Sequence, residues 1–502
     1  MYQTIKHMNK DSNESIEKAY RKRKQWFNNR ASTIFPLYIN DKNDQVIVFQ
    51  DYWKWKNNIN EVILNIRLRD EGGINFSSKK IEVQKHNEIS IKKEFNLVDA
   101  RGMIECEIVS LSNIGYPFPA LQYFFVSSTE QISSEHSSGR ILNSNEPIID
   151  TRFQETDFLC IYNEDFEPFF HIYAGTYVPK KGDIVNIKVK NKNNITILES
   201  EFSSGLISPF SSKIFKFSDI FSKEEVSKVE NKEFFVIVSF LLVGGFGRLV
   251  VGNYDKKNDV LFVTHSFPFI SADNPDQVIK VNNADASSYI GVSCEYPLRL
   301  DVASYPTNSR VEAPLYEMIV DQNLSDAKVV SRDDIITGGL GGLIFKRSFQ
   351  NKKFSILFIK DKAPSRLNIE FSYSLENSRH PTDIAMQFLS GHVPTKYSHW
   401  GHGVCKEGFE TYIFLRSYSD TFDESCGAEL EFQIFTNEMH NTKTYHIPAN
   451  SMLCIKASEL GFISLNCSYF SWFVKTKKGI VSDSQWLSFN SESGEVCGDH
   501  GF

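Results

Sequence analysis

From about Ile34 onward, apolar and polar positions alternate. In Val62-Ile63-Leu64-Asn65-Ile66-Arg67-Leu68-Arg69, residues 62, 64, 66 and 68 are apolar, and from Asn65 on their neighbours are polar. Side chains on a strand point alternately to opposite faces, so this segment predicts a strand with one face in a core and one in water. Val185, Ile187 and Val189 repeat the pattern, as do Leu430, Phe432 and Ile434, with a weaker echo over Leu315 to Val320. Such spacing predicts antiparallel sheets.

Longer apolar runs follow each of these strands. Met103 to Leu111, Phe234 to Val243, Phe354 to Ile359 and Phe462 to Val474 each run into a turn-forming segment, after which a second apolar strand begins. Gly and Pro in those segments supply turn geometry, which predicts a hairpin in the later half of each copy. A polar stretch and then a histidine come next, at His136, His265, His392 and His500.

The recurrence predicts an all-β chain of four tandem antiparallel β-sandwich repeats, immunoglobulin-like or jelly-roll-like, after a short N-terminal helix. The expected divisions are a basic helix at 1–30 and sandwiches at 31–140, 141–268, 269–394 and 395–502. Asp11 and Glu14 have capping-box spacing, so the helix is expected to run to about Phe27, carrying Arg21-Lys22-Arg23-Lys24. A chain of 502 residues accommodates units of this size, each able to bury a core.

Composition narrows the partners. A net charge of −7, spread along the chain, argues against a broad nucleic-acid surface. Eight cysteines with no CxxC pair are too few for a disulfide scaffold and predict reduced thiols in a cytoplasmic protein. The N-terminal residues lack the apolar core of a signal peptide, and no apolar run reaches the ~20 residues of a membrane helix.

Three groups of residues are candidates for chemistry. The histidines at the ends of the repeats, His136, His265, His392 and His500, would form one ligand site per sandwich, serve catalysis in one copy, or make a structural hydrogen bond common to all. Trp53 and Trp55, on one face of a strand, would offer a platform for a sugar ring or pack into a core. His392, His399, His402 and Cys405 form the densest set of metal-ligand types, and Gly401 and Gly403 would let a loop fold back to bring the imidazoles onto a zinc-like ion. Gly338 to Gly342 lacks nucleotide-loop spacing and reads as a loop, and no GxSxG, HExxH or calcium-loop motif occurs.

These features point first to a non-catalytic binding or assembly protein without a cofactor, taking a glycan or a protein as partner. The alternative is a metal- or histidine-dependent enzyme with its site where repeats three and four meet. A third reading anchors the protein to a membrane or a nucleic acid through Arg21 to Lys24.

Overall fold

A computed structural model describes residues 29–114, 119–129, 131–136, 139–142, 151–178, 183–191, 195–232 and 234–268. Between 269 and 367 it describes the strands alone. It continues over 368–387, 389–390 and 398–502, except 418–426, 449–450, 462–466, 480 and 482. The expected N-terminal helix, His392 and the Gly338 to Gly342 loop lie outside the described residues.

The fold is all-β and sandwich-like, built from four-stranded antiparallel sheets, two of them extended by a short fifth strand. One sheet orders its strands as Arg30–Ile39, Ala100–Val109, Ile63–Asp70 and Asn75–Glu82. The sheet facing it orders His86–Ser90, Asn43–Gln50, Gln122–Ser127 and Ile132–His136. Counted along this stretch, the orders are first-sixth-third-fourth and fifth-second-seventh-eighth. The same two orders recur in three later stretches, ending at Val260–His265, Thr382–Gln387 and Glu495–His500. Below, the sheet holding the first strand of a stretch is its opening sheet, and the sheet holding the last is its closing sheet.

The alternation read from the sequence is realised in the opening sheets. Leu64, Ile66 and Leu68 are buried, as are Val185, Ile187 and Val189, and Leu430, Phe432 and Ile434. In the first stretch Leu64, Ile66 and Leu68 face Asn43–Gln50 and Gln122–Ser127, whose Ile47, Phe49, Tyr123 and Phe125 complete the first core.

The expected late hairpins do not form. Ala100–Val109 lies in an opening sheet and Gln122–Ser127 in the closing sheet opposite, and Phe234–Leu242 and Val250–Asp255 are divided the same way. The connections are therefore arches between layers. Gly245-Phe246, expected within a hairpin turn, instead pairs with Arg140-Ile141. The strand following each arch does form a hairpin, but with the last strand of its stretch, as Gln122–Ser127 does with Ile132–His136.

Among the described residues, strands of the first, second and fourth closing sheets are covered on both faces. Gln122–Ser127, Phe166–Tyr173, Val260–His265 and Asp483–Asn490 are buried at every residue. Val46, Val48, Phe124 and Ile132 of the first closing sheet join the core of the fourth stretch, beside Trp472 and Trp486. Val260 to Val263 join the core of the first. The last strands complete a ring: Ile132–His136 and Thr382–Gln387 each touch both Val260–His265 and Glu495–His500.

Trp53 lies on a helix, Tyr52–Asn57, and not on a strand. Asp51 caps this helix, its side chain accepting a hydrogen bond from the Lys54 amide at 3.3 Å. Trp53 is fully buried in the first core. Trp53 and Trp55 are therefore not alternating strand residues. Among the described residues, no helix is long and apolar enough to cross a membrane.

Candidate functional site

The strand ring brings three of the sequence-flagged histidines together. His136, His265 and His500 are the final residues of their strands, paired in register with Gln122, Val250 and Gln485. In the third stretch the residue at that register is Gln387, opposite Asn368, and His392 comes five residues later. Counting from the strand rather than to the nearest histidine would have found this difference.

Hydroxyl side chains fix how the strands meet. Ser134 Oγ donates to the Gly498 carbonyl at 2.9 Å. Ser133 Oγ donates to the Leu261 carbonyl and accepts from the Val263 amide, both at 3.0 Å. Each such bond pairs a group from one stretch with backbone from another, and so sets the relative height of two strands. The histidines at their ends are then held level.

The imidazole rings of His136 and His265 stand edge-on at 4.7 Å between centroids, those of His136 and His500 at 4.3 Å. One ring nitrogen of each histidine lies within 4.8 Å of those of the other two. Each Nδ1 faces an oxygen that can only accept: Asp499 Oδ2 at 3.0 Å for His136, the Ser266 carbonyl at 3.1 Å for His265 and the Gly501 carbonyl at 3.0 Å for His500. In the neutral imidazoles the proton therefore sits on Nδ1, and Nε2 carries the lone pair.

Charge around the cluster is arranged by burial. Burial alone would raise the Asp499 carboxyl, but His136, His500 and the hydrogen bonds from His136 and Gln122 outweigh it and hold it below the usual range. Burial pushes the neighbouring Glu135 carboxyl well up, and the charge of Asp499 adds to the effect. Burial, Arg248 and the other two imidazoles push His265 well down. His136 and His265 are buried, while His500 is partly exposed and reaches the surface beside Phe502.

The second set separates. Ser398–Val404 is a strand, not the expected loop, and residues three apart on a strand point to opposite faces. His399 bonds Ser484 Oγ at 3.1 Å through Nδ1 and the Val481 carbonyl at 2.9 Å through Nε2. His402 Nδ1 meets Ser471 Oγ at 3.0 Å, and the same hydroxyl meets His86 Nδ1 at 2.8 Å. Burial holds His402 down at about 3 and His86 at about 4. Cys405 lies elsewhere again, its Sγ 3.1 Å from that of Cys467. Sequence reading missed both His86 and Ser471, because neither stands in a motif and only the packing of the first stretch on the fourth joins them.

Where those two stretches meet at the surface, residues 81–89 and 436–440 line an open groove of about 590 Å³. Ile81, Ile89 and Met439 give it apolar patches, and Lys85, Glu88 and Glu438 give it charge. Lys85 Nζ sits 4.8 Å from the centroid of the Phe435 ring. No protein-family model matches the chain, and no curated protein matches it.

Proposed function

We propose that the chain is a non-catalytic binding and assembly protein of the cytoplasm. In this reading it consists of four copies of one eight-stranded sandwich, divided near residues 140, 268 and 394, which pack as a rigid body and offer the groove at 81–89 and 436–440 to a protein or glycan. The observation that carries the reading is how the chemically capable side chains are used: they join one stretch to another. Arg379 Nη1 pairs with Asp255 Oδ2 at 2.6 Å, Gln485 Nε2 donates to Tyr373 Oη at 3.0 Å, and Gln50 Nε2 donates to the Trp472 carbonyl at 3.1 Å. Tyr38 and Asn40 both bond Asp259. Buried hydrogen bonds of this kind favour one arrangement of the parts, because a displaced partner leaves a desolvated polar group behind.

The groove suits a partner with mixed chemistry, since apolar floor and opposite charges lie within one opening. Its test compares the wild-type chain with Lys85→Glu and Glu438→Lys on a glycan array and against protein partners identified by cross-linking. The expected result is a partner whose affinity falls at least tenfold in one of the variants. Equal binding by all three chains, or substrate turnover that disappears in His399→Gln or His402→Gln, would overturn the reading.

A further inference from the structure

We propose that His136, His265 and His500 bind a divalent late transition-metal ion of the zinc class through their Nε2 atoms, clamping the first, second and fourth stretches at their meeting point. The proposal stands apart from the groove and from any partner, and it rests on three observations.

The first is convergence: three imidazoles from strands more than a hundred residues apart bring one nitrogen each within 4.8 Å of the others. Tetrahedral zinc with Zn–N bonds of ~2.0–2.1 Å sets its ligand nitrogens about 3.3 Å apart, so the three imidazoles stand close to ligand spacing and would draw inward on loading. The second is the shared orientation. All three Nδ1 atoms face an oxygen acceptor, which directs the lone pairs of all three rings to the Nε2 side. Metal-binding histidines show this arrangement, with the second nitrogen held by a carboxylate or a carbonyl. The third is Asp499, a buried carboxylate that fixes His136 and is itself fixed by Gln122 Nε2 at 2.9 Å. It supplies negative charge beside a site whose ligands are neutral.

Imidazole suits zinc, copper and nickel, whereas magnesium and calcium take oxygen ligands. Three ligands leave a coordination position open, and the partly exposed His500 provides the route of entry.

The experiment uses the full chain, treated with EDTA and dialysed. Zinc chloride is titrated by calorimetry, cobalt(II) is followed by its visible absorption, and melting is recorded with and without each ion. The expected result is one zinc per chain and a melting temperature that rises by a few degrees at a hundredfold excess over Kd. Magnesium and calcium should produce no shift. His500→Gln, at the exposed edge of the site, should bind at least a hundredfold more weakly while keeping the apo circular dichroism spectrum. Asp499→Asn should bind 10- to 100-fold more weakly. His446→Gln, at an exposed histidine on an edge strand, should bind as the wild type does. A folded wild-type chain that takes up no stoichiometric zinc would overturn the proposal, as would wild-type zinc affinity retained in both His500→Gln and His265→Gln.

Discussion

His171 should make the chain sensitive to acid by an amount that can be worked out in advance. It lies in the strand Phe166–Tyr173, is 1% exposed, and its ring bonds the backbone of Gly102 in the first opening sheet. Burial pushes its pKa down to about 3, against the opposing effect of the Gly102 bond. In the unfolded chain the ordinary value near 6.5 returns. Between these values the unfolded state binds a proton that the folded state refuses, so stability falls as pH falls. At pH 7 the penalty is about 0.2 kcal/mol. At pH 5 it is about 2 kcal/mol, since each pKa unit crossed costs about 1.4 kcal/mol. His171→Gln keeps a side-chain donor and removes the titration. Denaturant midpoints of both chains at pH 7, 6 and 5 isolate the effect in their difference. Other titrating groups, such as Glu495, pushed up to about 7 by burial, are common to both chains and cancel. The stability of the wild type relative to the variant should drop by about 2 kcal/mol from pH 7 to pH 5. A difference that stays level within about 0.5 kcal/mol would refute the argument that His171 is held neutral by burial.

Two further substitutions test the interior. Arg416 is 2% exposed and paired with Asp483 across the fourth closing sheet. Arg416→Met takes the guanidinium away from that buried carboxylate and should cost about 3–5 kcal/mol by denaturant unfolding, most of it recovered in the double variant with Asp483→Leu; a loss below about 1 kcal/mol would contradict this. Trp53→Ala should cost about 3–5 kcal/mol because the indole is wholly enclosed, whereas a surface sugar platform would lose less than about 0.5 kcal/mol.

The opening-sheet strands Ile63–Asp70, Ile184–Asn191 and Ala428–Phe435 were legible because each keeps one face more open to water. Ile63–Asp70 alternates buried positions with more open ones, and the polarity of its residues follows. The closing sheets broke that rule. Gln50, Gln122, Ser134 and Gln485 are all buried, because a second stretch packs on the face that a lone sandwich would leave wet. Alternation records burial within one unit and carries no information about docking between units; nor does a turn-forming segment tell whether it joins neighbours in one sheet or crosses to the facing layer, so the arches passed for hairpins. The same limit applies to the site. His136, His265 and His500 stood out as strand-end markers, but their meeting depends on how whole sheets stack. The pairing of His399 and His402 failed for a local reason: a strand replaced the expected loop and turned the two rings apart.

The packing of the first closing sheet on the fourth core bears on biosynthesis. Val46, Val48 and Phe124 are completed early on the ribosome, yet the side chains that cover them, Trp472 and Trp486 among them, are translated more than three hundred residues later. Until then the first sandwich carries a sticky, half-finished flank. Nascent chains of this protein should therefore depend on chaperone protection until the C-terminal strands emerge, with premature termination yielding aggregates in place of smaller working fragments.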